Sequence, residues 1–363
     1  MAAAKHNAEN ERIKRRYFAY LKEAKRYSES SLDEVAKALH RFETYSKFRA
    51  FRKFHIEQAI AFKRHLSTQR AVRTGEPISK ATQQRTLAVL KTFFHWLAGQ
   101  PGFRSRLSYA DADYFSLSEK DLRIARAQRE QRFPTLGQVD YVLSAMPVES
   151  DIERRNRALV AFTLLTGARD GAIASLKLKH IDLKEGCVRQ DARDVRTKFS
   201  KTFTTWFFPV GDLALQAFCE WVPFLIEERL FGPDDPLFPK TQVTQGEDLQ
   251  FETAGLARVP WSTAAPIRVV FREAFTLAGL PYFNPHSFRK TLTQLGEQLC
   301  STPEQFKTWS QNLGHESVMT TLVSYGSVPA PRQADVMRQL GQPRAPQSDV
   351  LRQIGRLISQ AQR

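Results

Sequence analysis

Near its C-terminal end the chain reads NPHSFRKTL at 284–292, LGHES at 313–317 and SYG at 324–326. A helix that begins at Asn284-Pro285 carries His286 and Arg289 on one face, because residues three apart are neighbours on a helix surface. An imidazole and a guanidinium on one face can both point toward the same anion. This spacing therefore predicts a helix that faces a phosphate group.

A second helix is predicted to begin at Thr302, where Pro303 and Gln305 complete the pattern of a capping box, and to end near Gly314. His315 and Tyr325 follow this helix, and the tyrosine stands in a polar, glycine-flanked setting that leaves its hydroxyl accessible. Such a tyrosine can act as a nucleophile on phosphorus. The chain has eight histidines, so a chance His-x-x-Arg pair is common and the pair alone carries little weight.

Two upstream motifs add to that weight. TGARDGAIASLKLKHIDL at 166–183 places Arg169 just after an apolar helix, and TKFSK follows at 197–201. In this order and at these separations, the motifs resemble the tyrosine recombinase (phage integrase) superfamily. The resemblance covers roughly residues 133–331 and, more weakly, residues 30–99.

The resemblance implies a mainly α fold with a small antiparallel β-sheet, an α+β arrangement of a helical core-binding domain and a catalytic domain that form a C-shaped clamp on DNA. It implies a site-specific DNA recombinase of integrase or transposase type, encoded by a mobile genetic element. Such an enzyme cleaves and rejoins strands through a covalent 3′-phosphotyrosine intermediate, without metal, ATP or another cofactor. The catalytic residues carried over onto this sequence are Arg169, Lys198, His286, Arg289, His315 and Tyr325.

Each carried-over residue type suits its implied role. Arg169 and Arg289 offer planar forks of donors to the nonbridging phosphate oxygens. Tyr325 attacks phosphorus, and a lysine protonates the departing 5′ oxygen. Its place in TKFSK favours Lys198 for that lysine, and Lys201 stays open as the alternative because ordinary surface lysines are common in turns.

The histidines and two departures from the family pattern complete the expected site. His286 is expected to assist deprotonation of the tyrosine or to hold the phosphate, and His315 to donate a hydrogen bond to a nonbridging oxygen. Ala172 stands where the family commonly has an acidic residue, so Asp170 is a substitute candidate for orienting Arg169. The separation of His315 from Tyr325 is one residue longer than the commonest form.

Composition supports a nucleic-acid partner independently of the motifs. The formal net charge of +16 and a pI near 9.9 favour a polyanion, and 363 residues with 42% hydrophobic content are enough for two cores. The three cysteines are far apart and form no metal-binding pattern, which indicates a reducing compartment and no structural zinc. No apolar run is long enough for a membrane span. We therefore expect a cytoplasmic, nucleoid-associated protein with no membrane partner.

The N-terminal half is predicted to be helical. Residues 1–29 are interpreted as a basic helix or arm. Helices that begin at a Ser31–Glu34 capping box and that span Phe51–Leu66 and Ser79–Ala98 predict a core DNA-binding bundle over residues 30–110. Its aromatic stripe is interpreted as core more than as a base-stacking platform.

A charged interdomain linker is predicted over residues 111–132, followed by the catalytic domain over 133–331 and a C-terminal tail over 332–363. The tail carries an apolar helical stripe that either folds back or docks in trans on a neighbour. DNA-binding candidates on basic faces are Arg52, Lys53, Lys63, Arg64, Lys80, Arg85, Lys91, Lys201 and Lys290.

Within the catalytic domain, a capped helix at Thr135 and a central helix over Glu153–Leu165 are predicted. Three short strands begin at Ile181, Cys187 and Phe203, where the hydrophobic period changes. The stretch 233–258 is interpreted as a surface region that contains proline, glycine and glutamine.

The implied partner is double-stranded DNA at specific recombination sites, bound by a homo-tetramer on two duplexes, with the free protein a monomer. An accessory DNA-bending or directionality factor is left open. The alternatives are a non-catalytic DNA-binding regulator or architectural protein of the same fold, which needs none of the catalytic set, and a type IB topoisomerase-like enzyme that relaxes DNA. The sequence distinguishes neither the DNA site nor integration from transposition, inversion or dimer resolution.

Overall fold

The computed structural model describes residues 6–71, 75–127, 132–245 and 250–315 of the chain. These residues form two compact units, which divide between residues 129 and 130. Tyr325 and the tail over 332–363 lie outside the described residues. None of the helices described is long and apolar enough to span a membrane.

The first unit is built from helices. They are α1 (Ala8–Glu23), α2 (Glu29–Tyr45), α3 (Ile56–Thr68), α4 (Lys80–Ala98) and α5 (Glu119–Arg126), with 3-10 turns at Phe51–Lys53 and Tyr109–Phe115. Ser28, Ser79 and Ser118 cap three of these helices by accepting a first-turn N–H. The predicted capping box at Ser31 is therefore wrong, because Ser28 supplies the cap and α2 begins earlier.

Aromatic side chains fill the core of this unit, as the sequence analysis predicted. The ring of Phe42 meets Phe62, Phe94 and Phe115 edge to face, at centroid distances of 5.2, 5.5 and 5.6 Å. All four rings are almost completely buried. Edge-to-face pairs of this kind stabilise a core beyond their area burial, so these rings are structural and not available for base stacking.

Helix α1 belongs to this bundle and is not a separate arm. Tyr17 is 1% exposed, and its ring lies 5.0 Å from Phe93 and 4.8 Å from Trp96. Asn10 is buried and donates to Glu43 Oε1 (3.1 Å) and the Arg49 carbonyl (3.0 Å). The amphipathic face of α1 finds its apolar partner inside the bundle, which the local sequence alone did not reveal.

The first part of the expected linker is also part of the first unit. Phe115 and Ala112 are buried in its core, and α5 packs against α4. The expected boundary at residue 111 therefore falls inside the bundle. The charged composition of this stretch gave no sign that two of its few apolar residues are core residues.

The second unit contains helices and two small antiparallel sheets. Its helices are α6 (Leu136–Ala145), α7 (Asp151–Thr166), α8 (Asp170–Ile173), α9 (Asp212–Pro223, continued by a π turn at Phe224–Glu228), α10 (Ala265–Leu277), α11 (Phe288–Leu299) and α12 (Pro303–Asn312). Its strands are β1 (Ile181–Asp182), β2 (Cys187–Gln190), β3 (Phe203–Trp206), β4 (Lys240–Gln245) and β5 (Phe251–Ala257). The 3-10 turns are Leu178–His180, Lys198–Ser200 and Pro285–Ser287.

Helix α7 is the centre of this unit, in agreement with the sequence. Every residue from Ala158 to Thr166 is buried, and α9, α10 and α11 pack around it. Capping boxes at Thr135, Ser150 and Thr302 begin α6, α7 and α12. Neighbouring residues along the chain thus set the first turns of these helices, whereas the apolar residues on every face of α7 place it inside the core.

The sequence predicted one of the two sheets and not the other. Strands β1, β2 and β3 form the predicted antiparallel sheet, with Val188 opposite Ile181 and Thr205. The second sheet, the hairpin β4–β5, lies in the stretch interpreted only as a surface region. The sequence predicted no strands in this region. The guanidinium of Arg155 holds the base of the hairpin by donating to the Pro239 carbonyl and to Thr241 Oγ1, both at 2.9 Å.

Candidate active site

A left-handed turn at the end of α7 precedes Arg169, the first arginine of the site. Gly167 caps α7 with φ +57°, a conformation that disfavours residues with a Cβ. A Cβ there lies 2.9 Å from Leu292 Cδ1 and 3.0 Å from Leu313 Cδ2. After this turn, half-buried Arg169 stands at the N-terminus of α8. Three separate segments therefore converge at this glycine.

Arg289 is the buried centre of the site. It is 6% exposed and donates to the carbonyls of Gly167 and Leu313, both at 2.5 Å. Its Nη2 also lies 2.8 Å from Nε2 of His315. One guanidinium thus links the end of α7, helix α11 and the turn after α12.

The contact with Arg289 fixes the proton position on His315. A guanidinium can only donate, so Nε2 of the imidazole accepts and a neutral ring carries its proton on Nδ1. Burial, with added repulsion from Arg289 and Arg169, lowers the pKa of His315 to about 4. The ring is therefore neutral near pH 7, with its proton on Nδ1.

The two arginines leave a positive charge concentrated in one place. Burial and the neighbouring Arg169 lower the pKa of Arg289 to about 9, so it is still cationic at neutral pH. Desolvation also lowers the pKa of Arg169. Within the part of the chain that the structure describes, neither guanidinium forms an ion pair with a carboxylate. Charges held this way favour an incoming anion.

Lys198 lines the same cleft as Arg169 and Arg289. It begins a 3-10 turn between β2 and β3, where Phe199 (φ 62°) and Ser200 (φ 50°) adopt the left-handed region. Phe199 is 75% exposed, and its ring centroid lies 4.8 Å from Lys198 Nζ and 5.8 Å from Lys201 Nζ. Both lysines are thus near the cleft, and the choice of Lys198 stays a prediction.

His286 is exposed and lies in the turn that precedes α11. Its 3-10 turn, Pro285–Ser287, is capped by Asn284, whose side chain accepts from Ser287 N (3.2 Å), and α11 follows from Phe288. The pKa of His286 is lowered by partial desolvation first and then by Arg289, Arg169 and Lys198, while Asp170 opposes that shift. This histidine therefore lies in the same electrostatic field as the other cleft residues.

Asp170 has a different partner from the one expected. Its carboxylate accepts two bonds from Arg268 of α10, at 2.9 and 2.7 Å, and its Oδ1 also accepts from Gly171 N. Ala172 is buried in the core. Asp170 thus joins α8 to α10, which fixes the helix that Arg169 begins without an acidic residue at 172.

The structure brings together five of the six expected catalytic residues, and Tyr325 lies outside the described part. The sequence analysis missed two residues that hold the cleft walls. Asn312 pairs with the backbone of Trp206, accepting from its N–H and donating to its carbonyl, both at 2.8 Å. Arg196 anchors the segment that leads to Lys198. Neither had a sequence signal, because their partners are far away along the chain.

The DNA-binding candidates fall into two groups. Lys63, Lys80 and Lys91 bond to the segment after α4: to the Ser116 carbonyl (3.1 Å), Asp121 (3.1 Å) and Asp113 (2.8 Å), respectively. Arg52 pairs with Glu9 at 2.9 Å, and Arg85 is 3.9 Å from Glu34. Lys53 and Arg64 are exposed, Lys290 is half-buried, and Lys201 is near the cleft. Arg64 and Lys53 are thus the bundle candidates best presented to a partner.

The chain has a helical unit and an α+β unit, and the α+β unit gathers two guanidiniums and a lysine at one cleft, which suits binding of a phosphodiester. The family model described as "Phage integrase family" matches residues 135–330, more than half of the chain. The chain belongs to the phage integrase family, and as a member it is a tyrosine site-specific recombinase.

Relatives agree with this assignment. Tyrosine recombinase XerC of Halalkalibacterium halodurans is 24% identical over 323 residues, covering 89% of this chain and 94% of the relative. XerC of Stutzerimonas stutzeri is 25% identical over 312 residues, covering 85% and 88%.

Solved structures share the fold. A lambda integrase dimer bound to a COC′ core site has a TM-score of 0.59 at 13% identity, covering 88% of this chain and 96% of that one. The Tn1549 transposon integrase in complex with a circular intermediate DNA has a TM-score of 0.60 at 13% identity, covering 91% and 99%.

Proposed function

We propose that this recombinase cleaves and rejoins DNA at specific sites with Tyr325 as its nucleophile. The phenol oxygen forms a bond to phosphorus, the bond from phosphorus to the 5′ oxygen breaks, and the DNA stays joined to the protein as a 3′-phosphotyrosine. The phenol proton leaves to a base or to water, and the 5′ oxygen takes a proton from Lys198. Attack by a 5′ hydroxyl of a partner strand reverses the step, so no metal or ATP is consumed.

One observation carries this proposal: Arg169, Arg289 and Lys198 line one cleft, and the two guanidiniums are not neutralised by carboxylates among the described residues. The attacked phosphate gathers charge on its nonbridging oxygens, and preorganised cations stabilise that charge most when they are desolvated. Arg289 is held by two carbonyls, so its remaining donors point in a fixed direction.

The histidines receive distinct roles in this proposal. His315 is neutral and accepts from Arg289 through Nε2, and it is proposed to donate a hydrogen bond to a nonbridging oxygen. His286, which is exposed and has a lowered pKa, is neutral near pH 7 and suits proton removal from the tyrosine.

The partner is double-stranded DNA, which both units are proposed to contact. The lambda and Tn1549 integrases with the same fold are bound to DNA in their structures, which supports this partner. We propose a homo-tetramer on two duplexes, formed from free monomers, with the nucleoid as its place of action and with an accessory DNA-bending or directionality factor. The tail from Ser348 onward is proposed to dock on a neighbouring copy in trans.

The proposed nucleophile is tested by trapping the covalent intermediate. Duplexes with a nick close to the cleavage point, tiled across the ends of the encoding genetic element, are incubated with the protein in EDTA. Cleavage releases a short 5′-hydroxyl fragment that diffuses away, so the adduct accumulates. We expect a slow-migrating, protease-sensitive adduct with wild type but not with Tyr325→Phe, while Tyr141→Phe, a change at an exposed tyrosine of α6, forms it normally.

The adduct assay, plasmid relaxation and joining of two duplexes together separate the alternative functions. Specific binding without an adduct favours a non-catalytic DNA-binding protein. Relaxation of any supercoiled plasmid, without joining of two site-bearing duplexes, favours a topoisomerase-like enzyme. Deletion of the tail from Ser348 is expected to reduce joining of two duplexes more than single-site cleavage, and equal loss of both contradicts docking in trans.

A further inference from the structure

The segment between β2 and Lys198 is anchored by one arginine. Arg196 donates from Nη1 to the Ser262 carbonyl (2.6 Å) and from Nη2 to the carbonyls of Ala174 (3.1 Å) and Trp261 (2.8 Å). Its backbone N–H donates to Ser175 Oγ at 2.9 Å. Four hydrogen bonds thus join this residue to two other segments of the second unit.

These contacts connect the segment of Lys198 to the segment of Arg169. Ala174 ends the short helix α8 that Arg169 begins, and Arg196 is two residues before Lys198. The preceding residue, Val195, is 2% exposed and belongs to the core. The stretch is therefore fixed up to residue 196, whereas the turn that follows is exposed and contains two positive-φ residues.

We propose that Arg196 is a positioning residue that holds Lys198 at the distance from Arg169 needed to protonate the departing 5′ oxygen. This inference rests on the proposed function of Lys198. The described hydrogen bonds of the Arg196 guanidinium all go to three neutral carbonyls. The side chain therefore serves to hold the structure and not to bind a phosphate. Without the bonds of Arg196 to these carbonyls, the segment that leads into the exposed turn of Lys198 is no longer held in place. Proton transfer from Lys198 depends steeply on the position of its amine relative to the departing oxygen.

The chemistry of the leaving group provides a specific test. A substrate with sulfur in place of the bridging 5′ oxygen releases a thiolate, which is a weak base and needs no proton donor. Loss of a general acid therefore slows cleavage of the oxygen substrate but not of the sulfur substrate. A variant that is merely misfolded, or that binds DNA poorly, slows both.

Single-turnover cleavage is measured with both substrates for wild type, Lys198→Ala, Arg196→Ala and Arg196→Lys. We expect Arg196→Ala to slow oxygen-substrate cleavage about 100-fold, the order of magnitude for a misplaced catalytic group, and to cleave the sulfur substrate at the wild-type rate, as Lys198→Ala does. Arg196→Lys retains a charge and one or two of the carbonyl bonds and is expected to be intermediate on the oxygen substrate.

A matched control lies on the same segment. Arg193 is exposed and bonds only to Asp191 among the described contacts, so Arg193→Ala should leave both rates unchanged. Slow cleavage of both substrates by Arg196→Ala, or a fall in the salt slope of DNA binding by about 1, as for a lost phosphate contact, overturns the inference. If wild type forms no adduct, or Lys198→Ala is not rescued by sulfur, the proposed function of Tyr325 or Lys198 fails first.

Discussion

Replacing Gly167 with alanine should damage stability and catalysis together, because this glycine combines a left-handed conformation with close packing. Its φ of +57° costs an alanine about 1–2 kcal/mol. The new Cβ would lie 2.9 Å from Leu292 and 3.0 Å from Leu313, and overpacking of this kind costs about 1–3 kcal/mol. We therefore expect Gly167→Ala to lower the free energy of unfolding of the second unit by about 3 kcal/mol.

Gly279 offers a matched control. It also has positive φ (+67°), but a Cβ there meets nothing within 4 Å. Gly279→Ala should therefore cost only the backbone contribution, about 1 kcal/mol. The difference of about 2 kcal/mol isolates the clash with the two leucines.

Thermal unfolding of the full chain, followed by tryptophan fluorescence, measures both variants. The melting temperature should fall by about 6–12 °C for Gly167→Ala, at about 2–4 °C per kcal/mol for a unit of this size. Because the Gly167 carbonyl accepts from Arg289, the folded variant should also form the covalent adduct more slowly. Equal unfolding midpoints for the two variants would refute the reasoning.

Three further predictions concern the remaining contacts. The pKa of His315 is lowered to about 4, so between about pH 6.5 and pH 4 the unfolded chain binds a proton that the folded chain does not. The free energy of unfolding should therefore fall as pH drops through this range. Urea midpoints measured against pH should show this fall, and His315→Gln should weaken it. Asn10→Ala removes the donor to Glu43 Oε1 and to the Arg49 carbonyl and the acceptor of Phe51 N, while Lys14 still bonds Glu43 Oε2. It should cost about 3 kcal/mol in unfolding, against about 1 kcal/mol for the helix cap lost in Asn7→Ala. Arg64→Ala should lower DNA affinity and reduce the slope of log affinity against log salt concentration by about 1. Lys80→Ala removes a partner of Asp121 and should leave that slope unchanged. The reverse result would contradict the division of the basic candidates into paired and exposed residues.

The site was largely predictable because its residues occur in short motifs with local structural signals. Asn284 caps the turn of His286 through its own side chain, and Thr302 and Gln305 form the capping box that begins α12. Such bonds join residues three apart, so the sequence contains both partners. The role of Tyr325 stays a prediction from the motif order.

The boundaries of the first unit were less predictable. Tyr17 and Phe115 lie outside the expected bundle, yet both are buried in its core. Their burial depends on Phe93, Phe42 and other partners tens of residues away. A charged stretch with few apolar residues resembles an arm or a linker when those partners are unknown.

The sequence by itself determined the family, the order of the helices and strands around the cleft, and the residue types available for chemistry. Only the tertiary structure decided that Arg289 bonds His315 and thereby selects its tautomer, that Asp170 belongs to Arg268, and that Arg196 clamps three carbonyls near Lys198. The physical reason is the same in each case. Motifs and caps depend on neighbours along the chain, whereas a buried charge takes its pKa and its partners from whatever segments the fold brings against it.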